Sequence, residues 1–196
     1  MYFDNSELNE AQLKIYYTFL SADGVCGKEE LEKLDSICQK MDIDKTRISE
    51  IVYEFTNNSI PSSSSEDMAI TEIPSLATTI RILEEQSSYS TILTDKSVQT
   101  NIIWNLINLG YSDTSFSDPE KRIVKHLASR WNIDDVIVAD LIDTAETMLS
   151  ICEQKEWLKT TKQPYDTIDG KIRELDQVMK HLAENVEITV SESEIA

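Results

Sequence analysis

Two pairs of carboxylates share one spacing. Asp23 and Glu30 stand seven residues apart, and Asp113 and Glu120 repeat that interval 90 residues later. Oxygen-only clusters suit hard cations such as Ca²⁺ or Mg²⁺. For such acids to meet, the chain must turn sharply between them. If both turns lie side by side, Asp23, Glu30, Asp113 and Glu120 converge on one site; if they lie apart, at most two weak sites remain. The same residue types have a second use. An Asp at a corner closes Asx turns, and a Glu in a first helical turn closes a capping box and complements the helix dipole. Neither corner is an EF-hand, whose loop requires oxygens at positions 1, 3 and 5, Gly at 6 and Glu at 12. Counting from Asp23, positions 3 and 12 are Val25 and Leu34, and counting from Asp113, position 12 is Val124.

The elements that must position these acids also occur twice. Phe19–Ile43 aligns without a gap on Leu109–Ile133, and the apolar positions keep the shift: Leu34 over Val124, Ile37 over Leu127, Met41 over Trp131 and Ile43 over Ile133. Apolar residues at helical spacing on both sides of each corner predict one helix-turn-helix used twice.

The wider periodicity predicts an all-α fold, a compact bundle of about seven or eight helices. Four Gly and four Pro in 196 residues are too few for a turn-rich β architecture. A first helix runs from Ser6 to Ala22 with Leu8, Leu13, Tyr16, Tyr17 and Leu20 inward. A second starts near Gly27 or Lys28 and carries Leu31, Leu34, Ile37, Cys38 and Met41. A third is capped by Asp44. The Ser-rich stretch near 57–67 reads as a connector, followed by a helix over Met68–Gln86. A further helix runs from Thr94 to Leu109. The next opens on Ser117, with Glu120 completing a capping box and Pro119 tolerated in the first turn. Another starts after Ile133 and runs through Ile137, Leu141, Ile142, Met148, Leu149 and Cys152 to Trp157. Residues 1–163 therefore read as one helical domain. Residues 164–185 form a C-terminal helix whose Ile168, Ile172, Leu175, Met179 and Leu182 make a heptad seam, and 186–196 read as an acidic flexible tail. The seam is expected to pack within the chain; a homodimer through this helix is its other use.

LSADGVCGKEELEKL, a helix ending in Ala-Asp-Gly, a short turn, Glu-Glu and a helix closing at Met-Asp-Ile, resembles the TerB-like (tellurite-resistance TerB) domain. SDTSFSDPEKRIVKHLASRWNI is similar to that family's second repeat, and the resemblance covers roughly Leu8 to Cys152. It implies a compact all-helical module that acts by binding, in tellurite resistance and wider stress responses, with related domains accompanying J-domain co-chaperones. It also implies a divalent-metal site at Asp23, Glu30, Asp113 and Glu120. The second corner departs from the pattern, since Tyr111-Ser112-Asp113-Thr114 stands in place of Ala-Asp-Gly.

Composition narrows the partners. With 36 acidic against 18 basic residues the net charge is −18, which opposes binding to nucleic acid or anionic membranes. Basic protein faces and cations fit better. Cys26, Cys38 and Cys152 have no metal-ligand spacing and suit a reducing, cytoplasmic setting. The N-terminus lacks a secretion signal, and no apolar run is long enough to span a bilayer. His126 and His181 fall on different helices, and no Gly-rich phosphate loop exists. Trp104, Trp131 and Trp157 read as core residues. No base or nucleophile constellation accompanies the acids, so the expectation is a non-catalytic module that binds a protein partner, with cation binding as the alternative.

Overall fold

The computed structural model describes residues 5–20, 28–58, 94–112, 116–162 and 164–193. They form α1 (Asn5–Leu20), α2 (Lys28–Lys40), α3 (Lys45–Asn58), α4 (Lys96–Gly110), α5 (Asp118–Arg130), α6 (Asp135–Thr160) and α7 (Tyr165–Glu192), with no strand among the described residues. The fold is therefore an all-α bundle. The helix expected over Met68–Gln86 lies outside the described residues, as does most of the Ser-rich connector.

Helix bounds recur at the interval seen in the sequence. α2 spans 28–40 and α5 spans 118–130; α1 ends at 20 and α4 at 110; α3 begins at 45 and α6 at 135. The turn after α2 matches the turn after α5 in its closing bonds. Ile43 N donates to Cys38 O at 3.0 Å, and Ile133 N to Ala128 O at 2.9 Å; Asp42 N and Asn132 N each reach back three residues. These are Schellman closures. Their left-handed residues are Asp42 (φ 56°) and Asn132 (φ 53°), the two residue types besides Gly that best tolerate that region. Asp44 and Asp134 then cap the next helices, Asp44 Oδ1 accepting from Thr46 N at 2.8 Å and Asp134 Oδ1 from Val136 N at 2.9 Å.

The core gathers on α4, which packs against α1, α2, α5, α6 and α7. Ile102, Ile103, Leu106 and Ile107 on α4 are fully buried, together with Leu13, Tyr16 and Phe19 from α1 and Val124 and Leu127 from α5. Leu34, Ile37 and Cys38 are the buried apolar residues of α2.

Four expectations need correction. Leu31 is 46% exposed. Glu30 takes the inward position at the head of the α2 stripe, which turns Leu31 outward by about 100°. Cys152, placed on the stripe of α6, is exposed. Trp157 is 62% exposed rather than core, because α6 runs well past the length of α3, its counterpart. Finally, residues 186–192 are not a flexible tail. The helix of the seam continues to Glu192, since Val186 is buried and Val190 packs on the core. Tertiary packing overrides the weak helix propensity of this Val- and Thr-containing stretch. The seam itself packs within the chain, along α6.

At the α4–α5 corner, Phe116 lies against the backbone of Gly110. A Cβ at 110 would stand 2.4 Å from Phe116 Cδ2. Gly110→Ala is expected to cost about 1–3 kcal/mol through overpacking, read from urea unfolding, and Phe116→Leu in the same chain should recover part of it. Two buried acids set the alkaline limit. Burial, then the Asp35 charge, pushes the Cys38 thiol up to about 11, and burial pushes Tyr16 up despite its bond from Asn105. The unfolded chain releases these protons nearer their ordinary values, so above about pH 9 it holds fewer protons than the fold, and stability falls as pH rises. The urea midpoint should drop between about pH 8 and pH 10, and less steeply in Cys38→Ala.

Candidate functional site

Of the four corner acids, Asp23 and Asp113 lie outside the described residues. Glu30 and Glu120 occupy equivalent first-turn positions but different settings. Glu120 is half-buried and committed to the capping box. Its Oε2 accepts from Ser117 N at 2.8 Å and from the Ser117 hydroxyl, whose oxygen accepts from Glu120 N. Position 27, equivalent to Ser117, is Gly and has no hydroxyl to offer. Glu30 is buried in the first turn of α2, where the helix N-terminus favours a carboxylate. Among the described residues no three His, Cys, Asp or Glu side chains group to hold a metal ion. His126 and His181 are both exposed, on α5 and α7.

The larger feature is a groove floored by α4 and walled by α2 on one side and by α6 and α7 on the other. Its volume is about 730 Å³, within the usual range for ligand sites. Apolar side chains from four helices line it: Ile37 and Met41, Trp104, Met148, then Met179, Val186 and Val190. Methionines repack easily around varied apolar surfaces. Asn101, Asn105 and Asn108 add a polar strip along α4. Two of these amides are anchored. Asn105 Nδ2 donates to the buried Tyr16 hydroxyl at 2.8 Å, which donates to Gln12 Oε1 at 2.9 Å; Asn108 Nδ2 donates to Trp104 O at 2.8 Å.

Lys33 and Lys40, two turns apart on α2, supply cations along the same groove. The Lys33 ammonium is held below the usual lysine range, chiefly by desolvation and then by the Lys40 charge. An anionic group seated nearby would relieve both effects.

The acidic corners drew the sequence reading, and the groove did not. Only the α4 face beneath it has a local pattern, with Asn101, Trp104, Asn105 and Asn108 on one side and Ile102, Ile103, Leu106 and Ile107 on the other, which does not by itself mark a groove. Its walls come from segments far apart in sequence, and so it had no local pattern.

No protein-family description, no curated protein and no solved structure matches this chain.

The two roles open to Glu120 separate cleanly. Glu120→Gln keeps an acceptor for Ser117 N and should leave stability within about 0.5 kcal/mol, whereas Ser117→Ala should cost about 1 kcal/mol. Calorimetric titration with Ca²⁺ and Mg²⁺ should give the same heats for Glu120→Gln and the wild type; heat lost only in the variant would make the acid a ligand.

Proposed function

We propose that this chain is a non-catalytic helical interaction module, of the TerB-like kind its corner residues resemble, serving a stress-response complex by holding a protein partner. The observation that carries this reading is the groove between α2, α4 and α7. It joins apolar walls and a floor of Trp104 with an Asn strip to Lys33, Lys40 and one acid, Glu187, on a chain of net charge −18. An amphipathic partner helix suits it, with apolar side chains against Trp104, Met41, Met179 and Val186 and one carboxylate near Lys33 and Lys40. The remainder of such a partner is basic, drawn by the acidic surface.

The reading is tested by purifying the chain with its native partners and quantifying them by mass spectrometry. Lys33→Glu/Lys40→Glu should lose the principal partner at least tenfold, about 1.4 kcal/mol or more, while Lys125→Glu on the exposed face of α5 retains it. A partner set that ignores the groove variants would defeat the proposal.

A further inference from the structure

The 90-residue register pairs Thr100 with Glu10 and Ile137 with Arg47. In the first half of the chain these two positions meet: Arg47 Nε donates to Glu10 Oε1 at 3.1 Å and ties α3 to α1. In the second half neither charge is present at those positions. A cavity of about 260 Å³ opens there instead, lined by Thr100 of α4 and Ile137 of α6 and bordered by Ser193 at the end of α7. A single water needs only about 10–15 Å³ of such space, so the cavity has room for a small organic molecule.

The lining sets what that molecule must carry. Thr100 is fully buried, and its hydroxyl has no hydrogen-bond partner among the described residues. A hydroxyl shut away from water in this way costs free energy that a bound acceptor recovers. Lys96 lines the same cavity. Its Nζ donates to Trp131 O and, at 2.8 Å, to Asn132 O, which leaves an N–H for a ligand. Asp134 supplies the opposite charge. Its Oδ1 caps α6 by accepting from Val136 N at 2.9 Å, and Oδ2 is left over. Ser193 Oγ donates to Val190 O at 2.7 Å and keeps lone pairs to accept with. Ile133 and Ile137 add an apolar wall. We propose that this cavity binds a small zwitterion, an α-amino acid with a short aliphatic side chain. Its carboxylate accepts from Thr100 and Lys96, its ammonium donates to Asp134 and Ser193, and its side chain lies on Ile133 and Ile137. Two observations select a zwitterion over a simple ion. The lining holds one base, Lys96, and one acid, Asp134, so a lone charge of either sign is opposed by one of them. The corresponding place in the first half holds a carboxylate and a guanidinium together, the pair of charges that a zwitterion brings back. The cavity shares no lining residue with the groove, so the inference stands apart from the protein-partner reading.

Two-dimensional NMR titration of the full chain with L-valine tests it, with acetate and isobutylamine carrying its two charges separately. L-valine should bind with a dissociation constant on the order of millimolar or tighter, and each control at least about tenfold more weakly. The amide shifts that move should centre on 96–100 and 132–137. Thr100→Val keeps the volume and removes the hydroxyl, and should weaken L-valine about tenfold. Asp134→Asn keeps an oxygen to cap α6 and removes the charge, so it should weaken L-valine by about tenfold or more while strengthening acetate. Thr100→Glu/Ile137→Arg rebuilds in the cavity the ion pair of the first half and should abolish binding with helical circular dichroism retained. No saturable shift up to about 20 mM L-valine, the result expected if the cavity holds water alone, overturns the proposal. So does binding that ignores both Thr100→Val and Asp134→Asn, or acetate binding as tightly as L-valine.

Discussion

Everything in this bundle leans on α4. Its apolar face is wholly sequestered, and five of the other six described helices pack on it. A 15-residue helix of ordinary propensity would be marginal in water by itself. Enclosure by α1, α2, α5, α6 and α7 stabilises it, and α4 in turn gives them a common surface. The opposite face cannot be apolar as well, or the helix would have no polar side to leave partly open. The Asn strip with Trp104 meets that need and makes the groove floor.

The two corresponding stretches, here copy one and copy two, match in helix bounds and turn bonds and differ in the side chains that fill them. At the same carbonyl, the C-cap of the second helix in each copy, the first receives Asn9 Nδ2 on Met41 O at 2.7 Å, and the second receives Lys96 Nζ on Trp131 O. Both donors tie the first helix of a copy to the end of its second helix. The lysine adds a charge suited to a helix C-terminus and also bonds Asn132 O at 2.8 Å. Sizes are exchanged too. Positions 110 and 116 hold Gly and Phe, where 20 and 26 hold Leu and Cys. The bulky ring in the second corner is accommodated only because its neighbour has no side chain. Between the first and third helices of copy one, Arg47 bonds Glu10; copy two has Thr100 and Ile137 at those positions and a cavity of about 260 Å³ beside them.

Charge sorts the surfaces. A chain with twice as many acids as bases spends many of its cations on local pairs, such as Lys45 with Asp35 at 2.8 Å and Arg173 with Asp169 at 2.7 Å. Exposed pairs of this kind add little stability. Lys33 and Lys40 instead line a half-apolar groove together with Glu187, and desolvation there weighs on the Lys33 ammonium.

Local chemistry was legible from residues alone. The period of the apolar positions, the Ser117–Glu120 box and the Asp44 cap all depend on neighbours within a few positions, and each appears where the pattern places it. The groove, the inward Glu30 and the outward Trp157 were not legible, because each depends on which distant helix lies alongside. Val186 and Val190 look like frayed ends in isolation; against the core they prolong α7 through Glu192. Periodicity states which faces are apolar, and only the assembled bundle decides which of those faces find cover, since burial belongs to pairs of helices and not to one.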